Sequence, residues 1–396
     1  MKACGSSEYE RRLINFAIAI IAAVYTVAPV ANYYLYSFGI TFLNLSIFSL
    51  ASVFFYILFF SIIKSKTGLF FFPNTLYLLL ISLVPFLLLT MISFFYSEHI
   101  EYALSKLISL ICNVVILFWI ASQFNEKVLS LYVKTTIVFS LALGALYPYF
   151  YSGLFQSAPD ISTDNIAVYL TSGSLLAFSG VLLIIFKPFK KVNALWLVII
   201  YAEIIFTGAR GPLIFLAICH IFHNVVIMRK LSTFFLLIPA VIITLVYIVT
   251  SDSGDSLVSR TIWRFSLIFD GDSGARLEYW ARYYESFTDI TQLLFGSGLG
   301  SYGVIAFGPG VRDYPHNLFI GIMADSGLFG ILSFLVFMFV LIRLLLLNRV
   351  NKYFIILMLP FLELQKSFTY AEYRLFWISI ALILFLAIRQ RDFKEL

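Results

Sequence analysis

The sequence predicts an all-α, polytopic membrane helical bundle of about twelve transmembrane helices, with one large loop on the outer side. Three observations carry that prediction. Hydrophobic residues make up 61% of the 396 positions and charged residues only 12%, far from the balance of ordinary soluble domains. Mean hydropathy is +0.95, and the apolar runs are continuous rather than alternating. Backbone amides find no water partner in hydrocarbon, so a spanning chain is either helical or a closed barrel, and unbroken apolar runs select helices.

A hydrocarbon core of about 30 Å takes roughly 20 apolar helical residues per crossing. Runs of that kind fall near residues 13–36, 38–63, 75–95, 104–123, 128–150, 165–186, 194–208, 212–228, 231–251, 316–345, 353–369 and 374–389. The polar opening through Arg12 is followed by an apolar stretch longer than a signal h-region, which reads as a retained first span. With the N-terminus in the cytoplasm, the short inner loops collect Lys2, Arg11 and Arg12; Lys64 and Lys66; Lys127; Lys187, Lys190 and Lys191; Arg229 and Lys230; Arg343, Arg349 and Lys352; and Arg389, Arg391 and Lys394. That is the positive-inside pattern, and it places both termini in the cytoplasm. The net charge of +6 therefore speaks of topology and not of nucleic acid. The chain reads as a single integral membrane domain, 1–396.

Residues 252–315 form the one long polar stretch and face outward on this topology. Leu277, Trp280, Ala281, Tyr284 and Phe287 recur at helical spacing within it, as expected of an amphipathic helix on a membrane surface. Gly296-Ser297-Gly298-Leu299-Gly300 lacks the strand and βαβ frame of a dinucleotide fingerprint and reads as a flexible turn. Cys4, Cys112 and Cys219 have no paired spacing for a zinc site or a disulfide framework.

Three residues are placed for chemistry. Arg210 lies in Thr207-Gly208-Ala209-Arg210-Gly211-Pro212 between two apolar runs, where an arginine is costly unless it faces water, protein or an anion; the alternative is a snorkelling side chain. Pro212 suits the first turn of the next helix, and such a helix start favours anions. Arg276, in Gly274-Ala275-Arg276-Leu277-Glu278-Tyr279-Trp280, would by itself be a solvated loop residue. Two arginines on one site would instead match phosphate oxygens with fixed forks and permanent charge. His316, in Tyr314-Pro315-His316-Asn317, stands at a membrane mouth and could take a proton from a hydroxyl, although a lone histidine at a helix start is commonly structural. His220 and His223 read as helix packing. Asp325 and Glu203, acids within spans, could each partner an arginine or relay a proton, structural pairing being the stronger reading.

The series TGARGPLIFLAI, GARLEYW, LLFGSGLGSYG and PHNLFIGIMADSGLFGIL, over residues 195–345, resembles the O-antigen polymerase and ligase superfamily of bacterial inner-membrane glycosyltransferases. The resemblance implies transfer of a glycan from undecaprenyl diphosphate at the periplasmic face, with no cofactor, no nucleotide sugar and no essential metal. It implies that Arg210 and Arg276 hold the diphosphate and that His316 lies by the acceptor hydroxyl. Arg260, Arg264, Arg282 and Arg312 are further candidates for phosphate or sugar contacts. A glycan acceptor, the bilayer, a chain-length regulator and a flippase are the implied partners. Ligases of the superfamily often carry a second histidine where this chain has Tyr314, and the glycine-rich segment is common among polymerases. Both favour a polymerase over a ligase. A lipid-linked oligosaccharide transporter is the reading from another class, since twelve spans suit one, but no paired broken helices are visible in the two halves.

Overall fold

The computed structural model describes residues 8–63, 74–149, 166–229, 276–286, 289–347 and 351–392. In chain order these form α1 (Glu8–Ser37), α2 (Leu45–Ile63), α3 (Asn74–Phe94), α4 (Ile100–Gln123), α5 (Glu126–Tyr149), α6 (Ile166–Phe186), α7 (Asn193–Thr207), α8 (Arg210–Ile221), α9 (Arg276–Glu285), α10 (Ile290–Phe295), α11 (Tyr302–Phe307), α12 (Leu318–Leu347), α13 (Phe354–Leu364) and α14 (Arg374–Asp392). No strand occurs among the described residues. Seven of the described helices are long and apolar enough to cross a membrane, and Leu45–Leu58 is a shorter apolar helix. Large apolar side chains stand exposed on α2 (Phe54, Phe55), α3 (Leu78, Ile81) and α12 (Val336, Phe339), which is stable only against lipid or a partner. The chain is a multi-pass membrane protein. The expected span at 231–251 lies outside the described residues.

Two compact units divide the chain. The first comprises residues 1–69 and 123–270, and the second 70–122 and 271–396. In the first, α1 packs along α5, and α6 packs against α5, α7 and α8. Ala19, Ala22, Ala23, Ala28 and Ala31 are all buried on α1, and small residues of this kind let helix backbones approach in the absence of a hydrophobic drive between helices. Thr26 and Tyr132 join hydroxyls across α1 and α5 at 3.0 Å. Asn32 near the end of α1 accepts the Leu45 amide at 2.8 Å and donates to Asn44 and Ser46, so a polar side chain closes the turn into α2. Gly173 of α6 has no room for a Cβ, which would lie 2.3 Å from the Cβ of Ala209.

In the second unit α3 runs against α12, with Phe86 and Phe334 5.3 Å apart between ring centroids. Asn113 of α4 donates to the Ala371 carbonyl at 2.9 Å, and Trp377 of α14 donates to the Tyr370 carbonyl at 2.7 Å. The expected single span at 316–345 is a broken helix. Gly327, at φ 65° and ψ −160°, interrupts α12, and the freed backbone is met by the chain between α10 and α11. Ser297 donates its amide to the Ala324 carbonyl at 2.8 Å.

The glycine-rich segment is accordingly not a flexible turn. Gly296, Gly298 and Gly300 all take positive φ, and Cβ atoms at Gly296 and Gly298 would meet backbone at 2.6 Å and 2.7 Å. The α3–α4 turn clamps the same segment: Tyr96 donates to the Phe295 carbonyl at 2.6 Å, and Ser97 to the Leu299 carbonyl at 2.7 Å.

Gly327→Ala is expected to destabilise the protein, since it adds a Cβ 2.3 Å from the Leu294 carbonyl oxygen at a left-handed position. Strain of that kind costs on the order of 1–3 kcal/mol before any clash. The midpoint of thermal unfolding in detergent checks it, and an unchanged midpoint would mean that the break is dispensable.

Candidate functional site

The Thr207–Pro212 corner belongs to the first unit. Gly208 ends α7 in the left-handed conformation (φ 70°), its amide on the Ile205 carbonyl, as helix C-termini commonly do. Arg210 is the first residue of α8, with Gly211 and Pro212 buried in its first turn, so the expected helix start is present. Arg210 itself is half-buried. Nearby on α7, Glu203 Oε2 is buried without a hydrogen bond, and a Cβ at Gly144 would lie 2.2 Å from it. His220 of α8 pairs with the Tyr201 hydroxyl at 3.3 Å and stacks on its ring, in keeping with a packing role.

Arg276 and His316 belong to the second unit. Arg276 opens α9, whose Trp280 lies one turn further on and donates its indole N–H to the Pro315 carbonyl at 2.6 Å. The helix that Arg276 begins is thereby tied to the residue preceding His316. The remainder of α9 is held by Tyr283, fully buried in a cluster with Tyr302, Ile320 and Ala324. Of the apolar stripe read from the sequence, Trp280 packs on that cluster, whereas Leu277 is 59% and Tyr284 50% exposed. Those two side chains remain available to a membrane surface.

His316 has φ 51°, uncommon for a residue with a side chain and a form of strain that concentrates at functional positions. Its ring lies against Tyr314 at 4.3 Å between centroids, and the Tyr314 hydroxyl is anchored on the Ser367 carbonyl at 2.6 Å. Directly afterwards, Asn317 accepts the amides of Phe319 and Ile320 at 3.0 and 3.1 Å and so caps the first half of α12.

Beneath this corner lies an ion pair that gives Asp325 a lysine where the sequence reading offered an arginine. Asp325, 1% exposed on its side chain, receives Lys106 of α4 at 2.8 Å, itself 5% exposed. The same carboxylate accepts the Gly300 amide at 2.8 Å and the Tyr370 hydroxyl at 2.9 Å. A buried ion pair survives only when geometry and further hydrogen bonds offset desolvation, and this carboxylate has both. The pairing of Asp325 is structural, with a lysine as its cation. A lysine and an aspartate each inside an apolar run were the available signal, though their partnership across 219 positions was not.

The secondary arginines are distributed differently. Arg282 pairs with Glu278 on the exposed face of α9 at 2.5 Å, and Arg312 with Glu101 at 3.1 Å; exposed pairs of this kind contribute little to stability. Arg260 and Arg264 lie outside the described residues.

Asp325→Ala is expected to cost about 3–5 kcal/mol, because it strands a buried ammonium. The Lys106→Met/Asp325→Asn double variant should recover part of that loss. Thermal unfolding of the three proteins in detergent decides it, and a double variant no more stable than the single one would remove the ion pair as the cause.

None of the curated proteins compared with the chain matches it. Residues 194–335, which run from the start of α7 into the second half of α12, match the family model described as O-antigen ligase. Over that stretch the chain is similar to that family, the one its motif series resembles.

Proposed function

We propose that the protein is a glycosyltransferase of the bacterial inner membrane, an O-antigen polymerase that moves a growing polysaccharide from undecaprenyl diphosphate onto a lipid-linked repeat unit at the periplasmic face. The observation that carries this reading is the family match across 194–335, a stretch that includes Arg210, Arg276 and His316. The hydrogen bond from Trp280 to Pro315 supports it, because it joins the helix of one proposed phosphate ligand to the corner that bears the proposed base.

The chemistry needs little more. The acceptor hydroxyl attacks the anomeric carbon, the C1–O bond to the diphosphate breaks with inversion, and the hydroxyl proton passes to the His316 imidazole. Undecaprenyl diphosphate departs with the bond's electron pair. Guanidinium groups of Arg210 and Arg276 neutralise the charge that develops on the bridging oxygen, a form of stabilisation that works best when the donors are held in advance. Arg210 at the start of α8 adds the backbone amides and dipole of a helix N-terminus. Arg282 and Arg312, each beside one carboxylate, and Arg260 and Arg264 serve as outer contacts to phosphate or sugar. The bilayer, a flippase that delivers the substrate and a chain-length regulator are the partners of such an enzyme, with both termini cytoplasmic. The family description names the ligase, which would transfer finished polymer to lipid A core; Tyr314, where ligases often carry a second histidine, favours the polymerase.

Arg210→Ala and Arg276→Ala should each abolish glycan extension while the protein still accumulates in the membrane. Arg276→Lys should also be poor, since an ammonium lacks the guanidinium fork. Gel analysis of lipopolysaccharide from a deletion strain carrying each variant is the measurement. A wild-type ladder in either alanine variant would refute the clamp. In the deletion strain itself, core bearing one repeat unit is the polymerase outcome, bare core the ligase outcome. Transfer by purified protein should persist in excess chelator, and inhibition reversed by a divalent ion would count against the arginine scheme.

A further inference from the structure

A small pocket in the second unit is walled by the residues on both sides of His316. Tyr314, Pro315 and Asn317 line it, as do Asp313, Gly321 and Thr369, with Lys106 and Asp325 as its floor. The space takes about one water-sized group. The floor is internally satisfied: Asp325 is engaged by Lys106, Gly300 and Tyr370, which leaves no acceptor there for a ligand. The walls are different. Asp313 carries no ion pair among the described residues; one carboxylate oxygen accepts the Tyr314 amide at 2.7 Å, and burial pushes its carboxyl above the usual range. Asn317 spends its oxygen on capping α12, so its NH2 is the group it has left to offer. Gly321 contributes no side chain, and a Cβ there would meet only Pro315 at 3.7 Å.

An acceptor and a donor that both line a space of about one hydroxyl, adjoining in sequence a strained histidine, match a sugar hydroxyl more closely than an apolar group or an anion. We propose that this pocket receives one hydroxyl of the acceptor sugar, which donates to the Asp313 carboxylate and accepts from the Asn317 amide, and so orients the acceptor against His316. The proposal rests on the reading of His316 as the acceptor-side base. It makes Asp313 a recognition residue and Gly321 the position that keeps the pocket open. A site built to pair a hydroxyl discriminates strongly against ligands that lack it, so the pocket selects which sugar, and which face of it, can be extended.

Gly321→Ala tests this without disturbing the walls, because the added methyl fits the protein but occupies the pocket, and alanine is the better helix former. The assay uses full-length protein in detergent with the undecaprenyl-diphosphate-linked repeat unit extracted from the deletion strain. We expect Gly321→Ala and Asp313→Asn each to raise KM for that substrate by about tenfold or more, the worth of one hydrogen bond to a charged group. kcat should change little, and the unfolding midpoint of Gly321→Ala should be unchanged or higher. An unaltered KM in Gly321→Ala, with wild-type activity present, overturns the subsite and leaves the glycosyltransferase reading standing; the pocket then holds water only. A fall in kcat alone, or a lowered melting point that accounts for the loss, also overturns it. No transfer by the wild-type protein under conditions that support extension in cells overturns the glycosyltransferase reading and the subsite with it.

Discussion

The carboxylate of Asp325 is the constraint around which the second unit is arranged. An aspartate almost wholly removed from solvent is tolerable only if each lone pair finds a donor, and four separate pieces of chain supply or accommodate those donors. Lys106 comes from α4, the Gly300 amide from the glycine-rich segment, the Tyr370 hydroxyl from the turn between α13 and α14, and α12 breaks two residues later at Gly327. Once these are brought together, the first half of α12 is held at its C-terminal end, and Asn317 caps its N-terminal end. His316 is therefore presented from a short helix fastened at both ends, which suits a residue that must stay aligned with a reacting group.

The glycine segment shows how backbone can serve as a donor set. Its three left-handed glycines let the chain lie flat against the broken helix on one side and the α3–α4 turn on the other, with contacts so close that side chains are excluded. The covering is reciprocal: the loop repairs the helix ladder at Ala324 while the helix supplies the acid that holds the loop.

Much of this architecture was legible beforehand because hydrocarbon imposes a simple rule on sequence. Continuous apolar runs located α1 to α8 and α12 to α14, although α2 starts seven residues after the run at 38–63 and α8 ends seven before the run at 212–228 does, and the Gly208–Pro212 punctuation marked the turn between α7 and α8. The break in α12 was hidden, since hydropathy runs on through Gly327 and glycine within apolar helices is ordinary. The buried face of α9 was legible only in part: periodicity selected Trp280, which packs, together with Leu277 and Tyr284, which are exposed, and missed Tyr283, a residue amphipathic enough to sit on either face. The pairing of Lys106 with Asp325 required tertiary proximity that no local pattern encodes. Arg210, Arg276 and His316 were suggested by residue type and by resemblance, and the tether between Trp280 and Pro315 is the local geometry that relates two of their segments.

The order in which the partners of Asp325 occur along the chain bears on biogenesis. Lys106 and Gly300 precede the acid, and Tyr370 follows it. During synthesis the counter-cation and one amide donor have already left the ribosome when Asp325 emerges, so this buried acid of α12 enters the bilayer with its neutralising partner waiting. The tyrosine then completes the shell as the last two helices insert, and the assembly of this unit closes in the direction of translation.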